Sequence, residues 1–146
     1  MEPNVLLTIE GQQWNDADKP QAIRLTTEGR LYRRDPAWYI VYDESAVSGM
    51  EGTRTTMRVS DDGSVSLIRT GTHGMNLTFL AGSRHITRME TPYGDLDVEV
   101  YTSLVQTKIS ETGGYIHLGY SIDLNNRDRM NTRLDVEIKQ RQQPAN

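Results

Sequence analysis

Apolar side chains recur at every second position along most of this chain, and turn-forming residues break the runs at short intervals. Helical period is nearly absent. Such alternation is expected of strands that bury one face and wet the other. Val5, Leu7 and Ile9 predict a first strand, ended by the loop chemistry of Asn15-Asp16-Ala17-Asp18-Lys19-Pro20. Ile23, Leu25, Thr27 and Leu31 line one face of a long second strand, with Gly29 predicting a bulge or kink inside it. Asp35-Pro36 predicts a turn in which proline presets φ. Trp38 to Asp43, dense in aromatic and β-branched residues, is a third strand, and Glu44 to Gly49 the longest predicted loop.

Gly49 to Gly71 is the most informative stretch. It predicts two strands joined by Asp61-Asp62-Gly63, a three-residue loop built on a type I turn with glycine in the left-handed position. That loop sets Val59 against Val65, Met57 against Leu67, and Thr55 against Arg69. An apolar face thus ends in a threonine and an arginine.

Further along, Met75 to Leu80 and Arg84 to Thr91 predict a hairpin across Gly82-Ser83, a II′-type turn placing Phe79 opposite Ile86. Thr91-Pro92-Tyr93-Gly94 turns the chain. In the stretch Asp95 to Ser110, Leu96, Val98 and Val100 share one parity while Val105 and Ile109 have the other. One extra residue near Ser103 accounts for the switch, and such bulges bend a sheet toward closure. After Thr112-Gly113-Gly114, the run Ile116, Leu118, Tyr120, Ile122 and Leu124 alternates most cleanly of all. Asn125-Asn126 predicts a turn, Leu134, Val136 and Ile138 a last inward face, and Gln140 to Asn146 a polar, frayed tail.

These elements amount to about ten strands joined by short connections, so neighbours in sequence become neighbours in the sheet. Left open, such a meander exposes two edges, which closure removes. The reading is therefore an all-β, single up-and-down antiparallel β-barrel of about 8–10 strands, one domain over residues 1–146 with a polar tail from about 140.

Composition narrows the chemistry. The 146 residues hold no cysteine, which removes disulfides, thiolate metal sites and a cysteine nucleophile. A net charge of -4 with interspersed signs argues against nucleic acid as a partner. Arg30, Arg33 and Arg34, the basic cluster, read as a solvated strand end. The early apolar run Val5-Leu6-Leu7 is too short for a signal-peptide core. No run approaches the ~20 apolar residues a membrane helix needs. The expectation is a cytoplasmic protein, most simply bacterial, with no membrane partner.

Several segments carry a family resemblance. Tyr39-Ile-Val-Tyr-Asp-Glu-Ser45, Gly49-Met-Glu-Gly-Thr-Arg-Thr-Thr-Met57 and Ser66-Leu-Ile-Arg-Thr-Gly71 occur in order. Glu90-Thr-Pro-Tyr-Gly94 and Gly113-Gly-Tyr-Ile-His-Leu-Gly-Tyr120 follow them. Over residues 4–139 the series resembles the YwiB-like family, small bacterial proteins of unknown function with a calycin-type, lipocalin-like barrel. The resemblance implies an up-and-down barrel and supplies no catalytic residue to carry over.

Arg69 is the leading candidate for chemistry. Pointing into a barrel, its charge requires a partner, because a lone buried ion costs several kcal/mol or more. Glu51 is the expected carboxylate, since it shares the parity of Thr53 and Thr55 toward the barrel mouth; Glu44 and Glu90 are reserves. The functional reading is a pocket lined by Arg69, Glu51, Glu44, Thr53, Thr55 and Tyr93 that holds the polar group of a small amphipathic ligand. The structural reading is a buried ion pair that fixes the barrel's register. His73, His85 and His117 share no spacing that predicts a metal or haem site, and His117 has the parity of the exposed face. No Gly-x-Ser-x-Gly elbow or phosphate-binding glycine motif occurs. Asp95, Asp97 and Glu99 lie on a solvated face, and several of the tyrosines and tryptophans suit a barrel mouth.

Three functions compete. A non-catalytic binding module, without cofactor or metal, leads. A protein-interaction module or homodimer with a filled barrel is the alternative, with the Glu44–Glu51 loop as its contact. An isomerase or hydrolase comes third, with Arg69 orienting an anion and Glu51 or Glu44 as base.

Overall fold

In the computed structural model the described residues are 2–15, 19–72, 74–91, 93–124 and 128–141. Ten strands follow in order: β1 (Val5–Trp14), β2 (Gln21–Arg34), β3 (Ala37–Asp43), β4 (Thr53–Ser60) and β5 (Val65–Gly71), then β6 (Met75–Phe79), β7 (Arg84–Thr91), β8 (Gly94–Ser110), β9 (Gly113–Leu124) and β10 (Asp128–Gln140). A single 3-10 turn, Ala46–Ser48, interrupts them. Hydrogen bonding runs β6-β5-β4-β3-β2-β1-β10-β9-β8-β7, every pair antiparallel. This is the predicted meander, curled into a nearly closed barrel.

The hairpin of β4 and β5 has the register its turn demands: Val59 faces Val65, Met57 faces Leu67, and Thr55 faces Arg69. Gly63 has φ 92, the left-handed position, and the Ser60 and Ser64 backbones close the loop at 2.9 Å. The parity switch in β8 is a register irregularity between Thr102 and Leu104, where predicted. Gly29 marks something subtler than a bulge. There β2 stops pairing with β1 and starts pairing with β3, with Val5 opposite Gly29 and Val41 opposite Arg30. A Cβ at Gly29 would lie 2.7 Å from Leu7 Cδ1 and 3.1 Å from the Val41 carbonyl oxygen. Only glycine lets the strand serve both neighbours this closely.

The barrel interior is a filled apolar core. Phe79, Leu7, Ile40, Met57, Leu67, Ile116 and Leu118 are among its fully buried side chains. They come from strands on every side, so burial of the alternating faces holds the cylinder together, at about 25 cal/mol per Å² of apolar surface. The arginine cluster is solvated as expected. Arg33 pairs with Asp35 at 2.9 Å and Asp61 at 2.7 Å, a partnership that holds the Asp61 carboxyl below its usual range.

One expectation is overturned. β6 and β7 are not a hairpin: they form the two edges of the sheet, Phe79 lies opposite Val65, and Ile86 lies opposite Glu99. Phe79 is fully buried, whereas Ile86 is 76% exposed. The turn between them does form, with Ser83 N donating to Leu80 O at 2.9 Å. Gly82, at φ 80, takes the third place of that turn, which is the type II pattern. The turn is also bonded sideways to β8, through Gly82 N to Thr102 O and Thr102 N to Ser83 O. That attachment aligns β7 along β8 and leaves a seam between β6 and β7. The predicted turn at Asn125-Asn126, His73, Pro92, residues 16–18 of the first loop and the tail beyond 141 lie outside the described residues.

Candidate binding site at the barrel mouth

One row of cross-strand partners rims the end of the barrel: Tyr42 on β3, Thr55 on β4, Arg69 on β5 and Met75 on β6. Thr55 is fully buried, and Tyr42 and Thr53 nearly so. Just past β3 the chain leaves the sheet, and Glu44 N donates to Thr53 O at 2.8 Å. This contact holds Glu44 in the rim at 8% exposure. Its Oε1 accepts from Thr55 Oγ1 at 2.6 Å and its Oε2 from Ser48 Oγ at 2.7 Å. Ser48 is placed by the 3-10 turn, which Ser45 caps through Val47 N at 3.3 Å. Both oxygens of the buried carboxylate are therefore engaged by neutral hydroxyls.

Arg69 is half-buried, and its Nε is shut off from solvent with no hydrogen-bond partner. It forms no ion pair with a described residue. Its charge nevertheless reaches two phenols on opposite walls. Burial pushes the Tyr42 hydroxyl well above the usual tyrosine value, the Glu44 carboxylate adds to the rise, and Arg69 opposes it. Burial likewise raises Tyr120 of β9, again against Arg69. The Arg69 charge is thus within electrostatic reach of both β3 and β9.

On that far wall Thr102, Tyr120 and Thr132 are consecutive cross-strand partners on β8, β9 and β10. Thr102 Oγ1 and Thr132 Oγ1 are buried without hydrogen-bond partners; Thr132 lies beside Tyr120 but outside bonding geometry. Among the described residues, Arg69 Nε and these two hydroxyls account for all but one of the buried side-chain polar atoms left unpaired, the other being Ser60 Oγ at the opposite end of β4. Native interiors rarely leave such groups unmatched without a water, an ion or a functional reason. Two surface depressions lie near this end of the barrel. One of about 410 Å³ lies between Asp43, Glu44, Arg54 and Thr70 at the rim, and one of about 330 Å³ lies on the outer face among Tyr101, Ser103, Arg129 and Arg133; neither is lined by Arg69 or Thr102.

The expected site residues separate into two groups. Arg69, Thr55, Thr53 and Glu44 share the mouth. Glu51 does not: it is exposed, because the turn closed by Thr53 N and Met50 O, with Gly52 at φ 84, breaks the alternation before β4 begins. Tyr93 is fully exposed at the β7–β8 turn. The Glu90 side chain lies outside the described residues. Tyr42 and Tyr120 were legible only as two aromatics among many, and Ser48, Thr102 and Thr132 were not singled out. Thr102 and Thr132 carry the same signal as Arg69, a polar side chain at the parity of an apolar run.

His117 is half-buried on the outer face rather than freely exposed. Its Nδ1 meets Asp135 Oδ1 at 2.6 Å, and Arg133 Nε donates to the same oxygen at 3.0 Å. No cluster of three or more metal-ligating side chains occurs among the described residues. No helix among them is long and apolar enough to cross a membrane.

A family model described as a domain of unknown function, DUF1934, matches residues 7–136. The chain belongs to this family. It is 27% identical over 107 residues to the uncharacterized β-barrel protein YwiB of Bacillus subtilis (strain 168), covering 73% of each chain. The crystal structure of the ywiB protein from Bacillus subtilis superposes with a TM-score of 0.82 at 21% identity, covering 96% of this chain and 93% of that one. The likeness is one of fold, and it agrees with the barrel found here.

Proposed function

We propose that this DUF1934 barrel is a non-catalytic, cytoplasmic binding module that holds a small amphipathic ligand at its mouth, in the manner of a calycin-like barrel. The observation that carries this reading is the buried Arg69 Nε without a partner, together with the unpaired hydroxyls of Thr102 and Thr132, the cross-strand partners of Tyr120. A ligand oxygen would satisfy groups that the chain leaves unmet. The core below is filled, which limits the ligand to the mouth and its rim. Glu44, a buried carboxylate of the mouth, has both oxygens engaged by Thr55 and Ser48.

Native mass spectrometry of protein freshly purified from its producing cell tests the proposal. The expected result is a non-covalent adduct on the wild type that is lost from Arg69→Met. Bare protein in both cases would count decisively against it. The two free edges, β6 and β7, and the exposed Ile86 favour a second reading, a protein-interaction module or homodimer. Light scattering of the purified chain distinguishes it from a monomeric ligand carrier.

A further inference from the structure

The strands β9 and β10 run past the mouth, and beyond the polar row of Tyr120, Thr132, Gln13 and Gln21 their inward side chains are apolar again. Beyond Tyr120, β9 presents Ile122 and Leu124, and β10 presents Met130 opposite Ile122; Leu134, opposite Leu118, and Ile23, across Gly11, form the apolar row just below Tyr120. Ile23 and Leu134 lean toward each other over Gly11, where a Cβ would meet Ile23 Cγ2 at 3.2 Å and Leu134 Cδ1 at 3.9 Å. β3 pairs with β2 only from Arg30 onward, so it does not cover this extension. Ile23 is 39% exposed and Leu124 37%. The result is an apolar strip that begins at the polar mouth and ends in solvent.

We propose that the mouth binds a small organic acid, its carboxylate on Arg69 and its apolar body along the β9–β10 strip from Tyr120 to Leu124. This assignment rests on the binding reading above and adds the ligand's charge and shape.

The charge follows from the sign of the unmet groups. Arg69 Nε can only donate, and the Thr102 and Thr132 hydroxyls can donate as well. Burial keeps the Tyr42 and Tyr120 phenols protonated, Tyr42 beside Glu44 and Thr55 and Tyr120 beside Thr132. Glu44 is the acceptor in the mouth, and Thr55 and Ser48 occupy it. A ring of donors around an unpaired guanidinium matches an anionic oxygen pair, which arginine binds in bidentate fashion. The shape follows from the strand. From Tyr120 to Leu124 is four residues, about 13 Å at the rise of an antiparallel strand, enough for a single alkyl chain or a slim ring system.

Isothermal titration calorimetry tests this with straight-chain alkyl carboxylates of increasing length and the alcohols of the same lengths, each below its aggregation concentration. For wild type, each added methylene should tighten binding about fourfold until the strip is covered. The acid should bind about tenfold or more tighter than its matched alcohol, the discrimination of one hydrogen bond to a charged group. Arg69→Met should lose that preference and keep the dependence on length. Ile122→Gln should keep the preference and flatten the dependence; Leu124→Gln, at a more exposed position, serves if Ile122→Gln does not fold. Equal affinity for acid and alcohol, an unchanged preference in Arg69→Met, or no binding at any length would overturn the assignment. A cell-derived adduct on a wild type indifferent to carboxylates would overturn the ligand class alone and leave the binding reading standing. Bare protein together with no probe binding would remove both.

Discussion

Thr55 and Arg69 face each other across β4 and β5, yet the carboxylate that Thr55 holds, Glu44, makes no ion pair with Arg69. The carboxylate is satisfied by two hydroxyls, and the guanidinium is left with a buried donor to spare. This division of partners is not that of a structural salt bridge. A buried pair closing on itself would leave nothing for a ligand to complete.

Replacing Arg69 with methionine should therefore not destabilise the barrel. The unmatched donor disappears and an apolar side chain of similar length remains beside Met75. Urea denaturation should give equal or higher stability, by about 1 kcal/mol. A loss of about 3 kcal/mol or more would mean that Arg69 is paired within the chain.

Removing Glu44 should act in the opposite direction. Glu44→Ala strips the acceptor from Thr55 Oγ1, which is fully buried and bonded to it at 2.6 Å. The expected cost is about 1–3 kcal/mol. In a double-mutant cycle with Thr55→Val the two losses should fall well short of additive. Additive losses would show that the bond contributes nothing to stability.

The mouth should fail at high pH. In an unfolded chain tyrosine ionises near pH 10, whereas burial holds the protons of Tyr42 and Tyr120 to higher pH in the folded barrel. Above about pH 10 the unfolded state therefore sheds protons that the folded state keeps, and stability falls as pH rises. Below that value the contribution is fully present. Tyr42→Phe and Tyr120→Phe should each flatten the alkaline limb of a stability profile measured by denaturant titration. An alkaline limb unchanged in both variants would contradict the placement of these phenols.

Much of the barrel was legible before any coordinates, for two reasons. The period of two in the apolar residues assigns an inward face to each strand. A three-residue loop with a glycine at its end admits only one register, and that register delivered Thr55 opposite Arg69. What was not legible lay where a local signal leaves a non-local choice open. Gly82 announces a reversal but does not say which strand β7 will join, and the bonds from Gly82 and Ser83 to Thr102 settle it. Glu51 has the right parity by count, yet Gly52 ends the alternation, so extrapolating past a turn placed it on the wrong side. Glu44 could not be distinguished from its rivals, because its burial depends on Ser48 and Thr53 arriving from different segments. Thr102 and Thr132 were within reach, since each is a polar residue in an apolar register, as Arg69 is.

Gly29 offers a test of the fold itself. Gly29→Ala drives a methyl against the Leu7 side chain and the Val41 carbonyl at the point where β2 changes partners. The expected loss is about 1–3 kcal/mol by thermal or urea unfolding. Leu7→Ala, which opens space at that contact, should reduce the penalty of the glycine change. An undiminished penalty in the double variant would mean that the backbone contact with Val41 sets the cost.

The most direct test of the binding mouth is a high-resolution crystal structure of the protein taken from its own cells without added ligand. The account predicts density foreign to the chain within hydrogen-bond reach of Arg69 Nε, between Tyr42 and Tyr120. A structure in which Glu44 leaves Thr55 and Ser48 to pair directly with Arg69, with the mouth closed over that pair, would contradict it.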